Sequence, residues 1–224
     1  MVSFSVMELK KRSWRPFTIG SVIPSTEEQA GKIADEMKKL EFIPEFRFDL
    51  SAEMDEACIR KYIDVFTENG GYGIFTYRST SKDLLGHFYQ IAMEYENFVM
   101  DIDMHYAGVL GKDQRGKTII SSHFTNHTEA EGRVGKIMEM NPEALKIALP
   151  MNTVQFTRII NFIGGLGMKI PVALIPMGKE SYLRVASAIT VSDFAYTHYE
   201  KRVAEGQYSV QEFSNILDQI EHEA

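Results

Sequence analysis

KTIISSHF (Lys117–Phe124) and EALKIALP (Glu143–Pro150), held apart by the polar stretch Thr128–Glu139, decide the fold. Each outer segment is a short apolar run, the first with a β-branched centre, which is the pattern of a strand covered on both faces. The stretch between them is polar with scattered apolar positions, so the unit reads strand, helix, strand. One residue breaks the second apolar run, and it is Lys146. Burial opposes the charge of an ammonium, so the amine is expected to be held partly neutral, as suits a nucleophile that makes imines with ketones. His123 ends the preceding strand and can face the same cavity. Lys146 and His123 are therefore the candidate working pair.

Working outward, the same unit recurs along the chain. Phe17–Ile23 is the first strand. Ser25 and Glu28 have capping-box spacing and open a helix to about Leu40, with Ala30, Ile33, Ala34 and Met37 at helical spacing. Ile43–Asp49 is the second strand, with Glu45, Arg47 and Asp49 on one face and Phe46 and Phe48 on the other. In a closed barrel that charged face points into the lumen. Ser51 is the expected cap of the next helix, Tyr72–Tyr77 the third strand ending at Arg78, and Ser79–Ser81 the start of a helix to about Tyr95. Phe98–Met104 is an alternating fourth strand, followed by a glycine-flanked turn at 111–116 and a stunted helix. After the central unit, Asn152 and Gln155 open a helix through Ile163. Gly164–Gly167 follows a helix, so it reads as a helix stop rather than a dinucleotide loop. Lys169–Pro176 and Ile189–Tyr196 are the last two strands, each followed by a helix.

About eight strand–helix repeats with right-handed crossovers predict an α/β fold, a (β/α)8 TIM barrel in one domain over 1–224. An open doubly wound sheet is the runner-up. Val2–Glu8 alternates and is expected to form a hairpin or a cover over one barrel end; Lys10–Arg12 reads as a solvated turn.

Composition narrows the function. The net charge of −7 argues against general nucleic-acid affinity but not against local arginines gripping a small anion. A single cysteine, Cys58, excludes internal disulfides; its place in a helix reads as a core filler. No apolar run reaches membrane-spanning length, and the N-terminus has no signal core, so a cytoplasmic protein is expected. No histidine pair has metal-site spacing, so no metal and no cofactor are expected.

In such a barrel, chemistry collects where strands end. Glu45 and Arg47 lie on strand two, Arg78 ends strand three, His123 ends strand five, and Lys146 sits in strand six. Arg184 follows strand seven and Gln207 follows strand eight. Each has a plain structural explanation alone; Lys146, for instance, could be an ion-pair partner of Glu45. Their convergence on equivalent ends of the repeats is the functional signal.

These residues resemble the type I 3-dehydroquinate dehydratases of the shikimate pathway, from about Phe17 to Leu217. The resemblance is carried by Glu45–Asp49, Thr76–Ser79, Ser122–Phe124, Leu145–Ala148, Met177–Lys179 through Arg184, and Ala204–Gln207. It implies a (β/α)8 barrel that dehydrates 3-dehydroquinate to 3-dehydroshikimate. By that resemblance Lys146 forms a Schiff base with the ketone and His123 is the acid and base. Arg184 pairs with the substrate carboxylate, Glu45, Arg47 and Arg78 hold hydroxyls and shape the field, and Gln207 belongs to a closing loop. It also implies a homodimer. Two departures stand out. The family's histidine-orienting carboxylate counts here onto Lys82, with Asp83 next to it, and the loop's usual serine and proline are Val203 and Glu205. A class I aldolase-like Schiff-base enzyme and a non-catalytic binding module are the competing readings.

Overall fold

The computed structural model describes residues 4–11, 13–51, 54–109 and 117–223. Arg12, Val2 and the turn at 111–116 lie outside them. Eight strands alternate with helices: β1 Phe17–Val22, α1 Glu27–Lys39, β2 Phe42–Arg47, α2 Glu56–Glu68, β3 Gly73–Thr76, α3 Lys82–Met93, β4 Phe98–Asp103, β5 Thr118–His123, α4 His127–Glu139, β6 Ala144–Pro150, α5 Thr153–Gly165, β7 Val172–Met177, α6 Tyr182–Thr190, β8 Phe194–His198 and α7 Val210–Glu223. Among the described residues the strands form one parallel sheet in the order β7-β6-β5-β4-β3-β2-β1-β8. This is the expected (β/α)8 barrel, nearly closed.

The local signals explain most boundaries. Asn152 and Gln155 form a full capping box at the start of α5, and Ser81 caps α3 through the Leu84 amide. Two caps sit elsewhere than expected. Thr26, not Ser25, caps α1, accepting from Gln29 N–H, while the Gln29 side chain accepts from Ser25 N–H. Asp55, not Ser51, caps α2. Between β4 and β5 the chain makes a 3-10 turn, Met104–Val109, in place of a full helix.

The barrel has two cores. Between sheet and helices lies an outer layer rich in rings: Phe46 packs edge-on against Tyr62 and Phe66, and Phe48 lies against Phe75. Inside the barrel, Ile19, Ile43, Ile74, Val99, Ile119, Ala144, Ala173 and Phe194 form an apolar floor with Phe4, Val6 and Leu9 of the N-terminal segment. That segment does cover one barrel end, but not as a hairpin. Residues Val6–Leu9 form a 3-10 turn, because Ser5 and Glu8 satisfy each other's backbone amides in a capping box and no partner strand is needed.

Among the described residues the β7–β8 edge has no ladder; one backbone bond and two side chains bridge it. Asp193 N–H donates to Val172 O at 2.6 Å, Val172 N–H to the Asp193 carboxylate at 2.8 Å, and Leu174 N–H to Ser192 Oγ at 3.0 Å. Lys10 pairs with the same carboxylate at 3.0 Å, tying the floor to the seam. Cys58 is exposed, which corrects its reading as core: Ile59, Tyr62, Ile63 and Phe66 take the inward stripe of α2 and leave Cys58 off it. β8 runs two residues further than expected and ends at His198, which is half-buried.

Candidate active site

Register places the polar residues above the apolar floor. Ser21 pairs with Glu45, Thr76 with Asp101, Asp103 with Ser121, and Ser121 with Lys146. Strand residues two apart face the same way, so β1 to β6, which enter the lumen with Ile19, Ile43, Ile74, Val99, Ile119 and Ala144, present Ser21, Glu45, Thr76, Asp101, Ser121 and Lys146 one step higher, whereas β7 continues apolar with Ile175. The Lys146 ammonium, 7 % exposed, lies 2.7 Å from Asp101 Oδ2 and 3.1 Å from Glu45 Oε1, and 3.6 Å above the centroid of the Tyr196 ring. The inward orientation agrees with the sequence reading, but the surroundings are not hydrocarbon alone. Two carboxylates and a ring face lie around the nitrogen.

The carboxylates are held in turn. Ser21 Oγ donates to Glu45 at 2.7 Å and Thr76 Oγ1 at 3.1 Å. Arg78 reaches Asp101 Oδ1 at 2.6 Å and Ser121 Oγ at 2.9 Å. Burial alone would raise the Asp101 carboxyl, but the Arg78 guanidinium and the Lys146 ammonium hold it far below the usual carboxylate range. Burial, with Asp101 and Glu45 facing it, pushes the Tyr196 hydroxyl well above the ordinary phenol range.

The remaining candidates sit around this centre. Arg47 is gripped by Asp49 through two bonds, 2.9 and 2.7 Å, so its guanidinium is fixed at the mouth. His123 pairs with Ala148, two residues further along β5 than the Ser121 that faces Lys146. It therefore stands one step above the lysine on the same side of the strand, half-exposed at the rim, with Nδ1 4.0 Å from Asp103 Oδ2. Arg184, on α6, is buried and donates to the Glu205 carbonyl at 3.1 Å, while its Nε has no partner. Desolvation lowers this guanidinium to about 10. Arg78 Nη1 is a second buried donor left unpaired.

The loop after β8 is anchored inward. Gln207, 3 % exposed, donates to Thr197 O at 2.6 Å and accepts from Val203 N–H at 3.2 Å. A Cβ on Gly206 would collide with the Gly178 carbonyl oxygen, so the loops after β7 and β8 touch beside Arg184. Both glycines have positive φ. A cavity of about 350 Å³ lies on the β3–β4 side of the site, lined by Arg78, Asp103, Tyr77 and Tyr106. Another, of about 520 Å³, opens at the opposite end against Phe17, Phe42 and Tyr72, away from the lysine.

Sequence reasoning did not nominate Asp101, Asp103, Ser21, Ser121 or Tyr196. The available signal was FVMDIDM, where carboxylates at i and i+2 share one face of a strand covered on both sides. Among the described residues no group of side chains has the makings of a metal site.

Fold and centre together define a (β/α)8 barrel with a lysine-centred polar site at the C-terminal ends of its strands. The family model described as Type I 3-dehydroquinase matches residues 21–224, and the chain belongs to that family. A 3-dehydroquinate dehydratase from Thermoplasma volcanium is 28% identical over 208 residues, 85% of this chain and 87% of that protein. One from Thermoplasma acidophilum is 27% identical over 172 residues, 73% of this chain and 72% of its own length. Among solved structures, a type I 3-dehydroquinate dehydratase from Clostridium difficile with covalently modified comenic acid superposes with a TM-score of 0.80 at 17% identity, covering 100% of this chain and 99% of that one. No helix among the described residues is long and apolar enough to cross a membrane.

Proposed function

We propose that this protein removes water from 3-dehydroquinate to give 3-dehydroshikimate, through an imine on Lys146. The reading rests above all on the buried Lys146 amine, held 2.7 Å from Asp101 in a chain of the type I 3-dehydroquinase family. The amine attacks the ketone carbon; two protons and the oxygen leave as water, and the C=N bond forms. The protonated imine is an electron sink, so it acidifies the neighbouring carbon. His123 takes that proton, the electron pair forms the new C=C bond, and the hydroxyl one carbon further on leaves with a proton returned by His123. A water molecule then hydrolyses the imine and regenerates the amine. The water released in making the imine equals that consumed in breaking it, so the net change is loss of one water.

The other residues fit roles around this path. Arg184 has a buried, unpartnered Nε and no carboxylate partner of its own, which suits a substrate carboxylate. Glu45 and Asp101 steady the cation before and after imine formation. Arg47 and Arg78 carry donors for hydroxyls at the mouth. Gln207 acts here from inside the loop, bonded to Thr197, rather than from a free tip.

The test is turnover and trapping. Added 3-dehydroquinate should yield the ultraviolet absorbance of a conjugated product. Borohydride added with substrate should leave a stable adduct on Lys146 in the peptide map. Lys146→Ala should lose turnover while staying folded at the assay temperature, with a melting temperature lowered by the carboxylates it leaves buried and unmatched. Binding without turnover would identify a non-catalytic module, and an unmodified Lys146 in an active enzyme would remove the imine.

A further inference from the structure

The count along the sequence puts Lys82 where a histidine-orienting carboxylate is expected, and Asp83 beside it. Both are exposed in the first turn of α3. The carboxylate within ion-pair reach of His123 comes from a different element. Asp103 ends β4, and its Cα partner on β5 is Ser121, two residues before His123. Its two oxygens are used differently. Oδ1 accepts from His105 N–H at 2.9 Å and lies 2.8 Å from His105 Nδ1. Oδ2 lies 4.0 Å from His123 Nδ1. The first set of contacts fixes the carboxylate on the 3-10 turn after β4; the second leaves an oxygen turned toward the candidate acid–base histidine.

We propose that Asp103 is the positioning residue of His123: its Oδ2 holds the Nδ1 side of the ring and so leaves Nε2 for the substrate. The inference rests on the dehydratase reading and adds to it a residue from β4 in place of one on α3. A gap of 4.0 Å is longer than a hydrogen bond, and catalytic hydrogen bonds commonly tighten only when substrate is bound. The physical reason for such a partner is general. An imidazole has two nitrogens, and which one carries the proton is set by what the other meets. His123 is half-exposed, so without a fixed acceptor its ring would turn and change tautomer freely. Asp103 is also suited to stay ionised. Partial burial would raise its carboxyl, but the neighbouring His123 imidazole and the contacts from His105 hold it at about 2.

The experiment compares the unaltered chain with Asp103→Asn, Asp103→Glu and Asp83→Asn. Turnover of 3-dehydroquinate by the unaltered chain is measured first; its absence sinks the dehydratase reading, and this assignment with it. Given turnover, Asp103→Asn should lower kcat at least about tenfold, part of the 10²–10⁴ that a general acid–base group supplies. KM should stay within about threefold, since the loss falls on proton transfer and not on binding. Borohydride should still trap substrate on Lys146 in this variant on long incubation, and the variant should stay folded at the assay temperature, its melting temperature lowered only by the lost contribution of the carboxylate. Asp103→Glu should recover most of the rate, and Asp83→Asn should behave as unaltered. An unchanged kcat in Asp103→Asn overturns the proposal. So does a loss in which trapping disappears and the variant is unfolded at the assay temperature, which marks a structural role. A loss in Asp83→Asn instead returns the role to α3.

Discussion

At the scale of single residues, the centre is a chain of mutual satisfaction. Lys146, Asp101 and Arg78 form a buried cation–anion–cation line, bonded on to Glu45, Ser21, Thr76 and Ser121, with Arg78 Nη1 left unpaired. Breaking such a line by removing one partner leaves a charge buried and unmatched. Arg184 is different, because its guanidinium meets a carbonyl and no carboxylate. Arg184→Ala should therefore spare stability and weaken substrate binding. A charge-assisted bond is worth about 1.5–3 kcal/mol, so KM should rise on the order of 10- to 200-fold while kcat changes less. Arg184→Lys should recover only part of this, since an ammonium cannot offer two parallel donors. Equal KM values for Arg184→Ala and the unaltered enzyme would remove the arginine from the carboxylate site.

At the scale of elements, the weak point is the seam between β7 and β8. There the backbone ladder is replaced by Asp193, Ser192 and Ser187. Asp193 satisfies Val172 N–H and also holds Lys10 and the Lys11 amide. Asp193→Ala would orphan a buried backbone donor and release the N-terminal cover. Each unsatisfied buried donor costs about 1–3 kcal/mol, so a loss on the order of 2–4 kcal/mol is expected in urea unfolding. The site is built at the other ends of the strands, so kcat well below the melting temperature should be little changed. A variant as stable as the parent would show that the seam is held by other contacts.

At the scale of the molecule, the carboxylates couple folding to acid. Asp101 is held far below its ordinary range by Arg78 and Lys146, and Asp103 is held at about 2. An unfolded aspartate titrates near about 3.9, so between about pH 4 and 2 the unfolded chain binds more protons than the folded one. Stability therefore rises with pH across that window and is lost as pH falls through it. Melting temperature should drop steeply below about pH 4, and Asp103→Asn should flatten part of the slope. A melting temperature level from about pH 5 down to pH 3 would contradict the depressed carboxylates.

Much of this molecule was legible before any coordinates. Phe46 and Phe48 opposite Glu45 and Arg47 gave the lumen side of β2, and the apolar run around Lys146 marked it as the odd residue inside β6. Helix starts at Asn152 and Ser81 followed from capping chemistry that acts within three residues. Asp101 and Tyr196 were not legible as partners of Lys146, since each looks ordinary in its own strand. Asp103 was hidden for the same reason, and a count along α3 pointed instead at Lys82.

The sequence by itself determined the rhythm of strand and helix, because periodicity, caps and β-branched runs act between near neighbours. Only the tertiary structure decided which charges meet. Lys146 and Glu45 are 101 residues apart, and Lys146 and Asp101 are 45. Their distances follow from strand register around a nearly closed barrel, which lifts a polar layer from all its strands but β7 to a common height above an apolar floor.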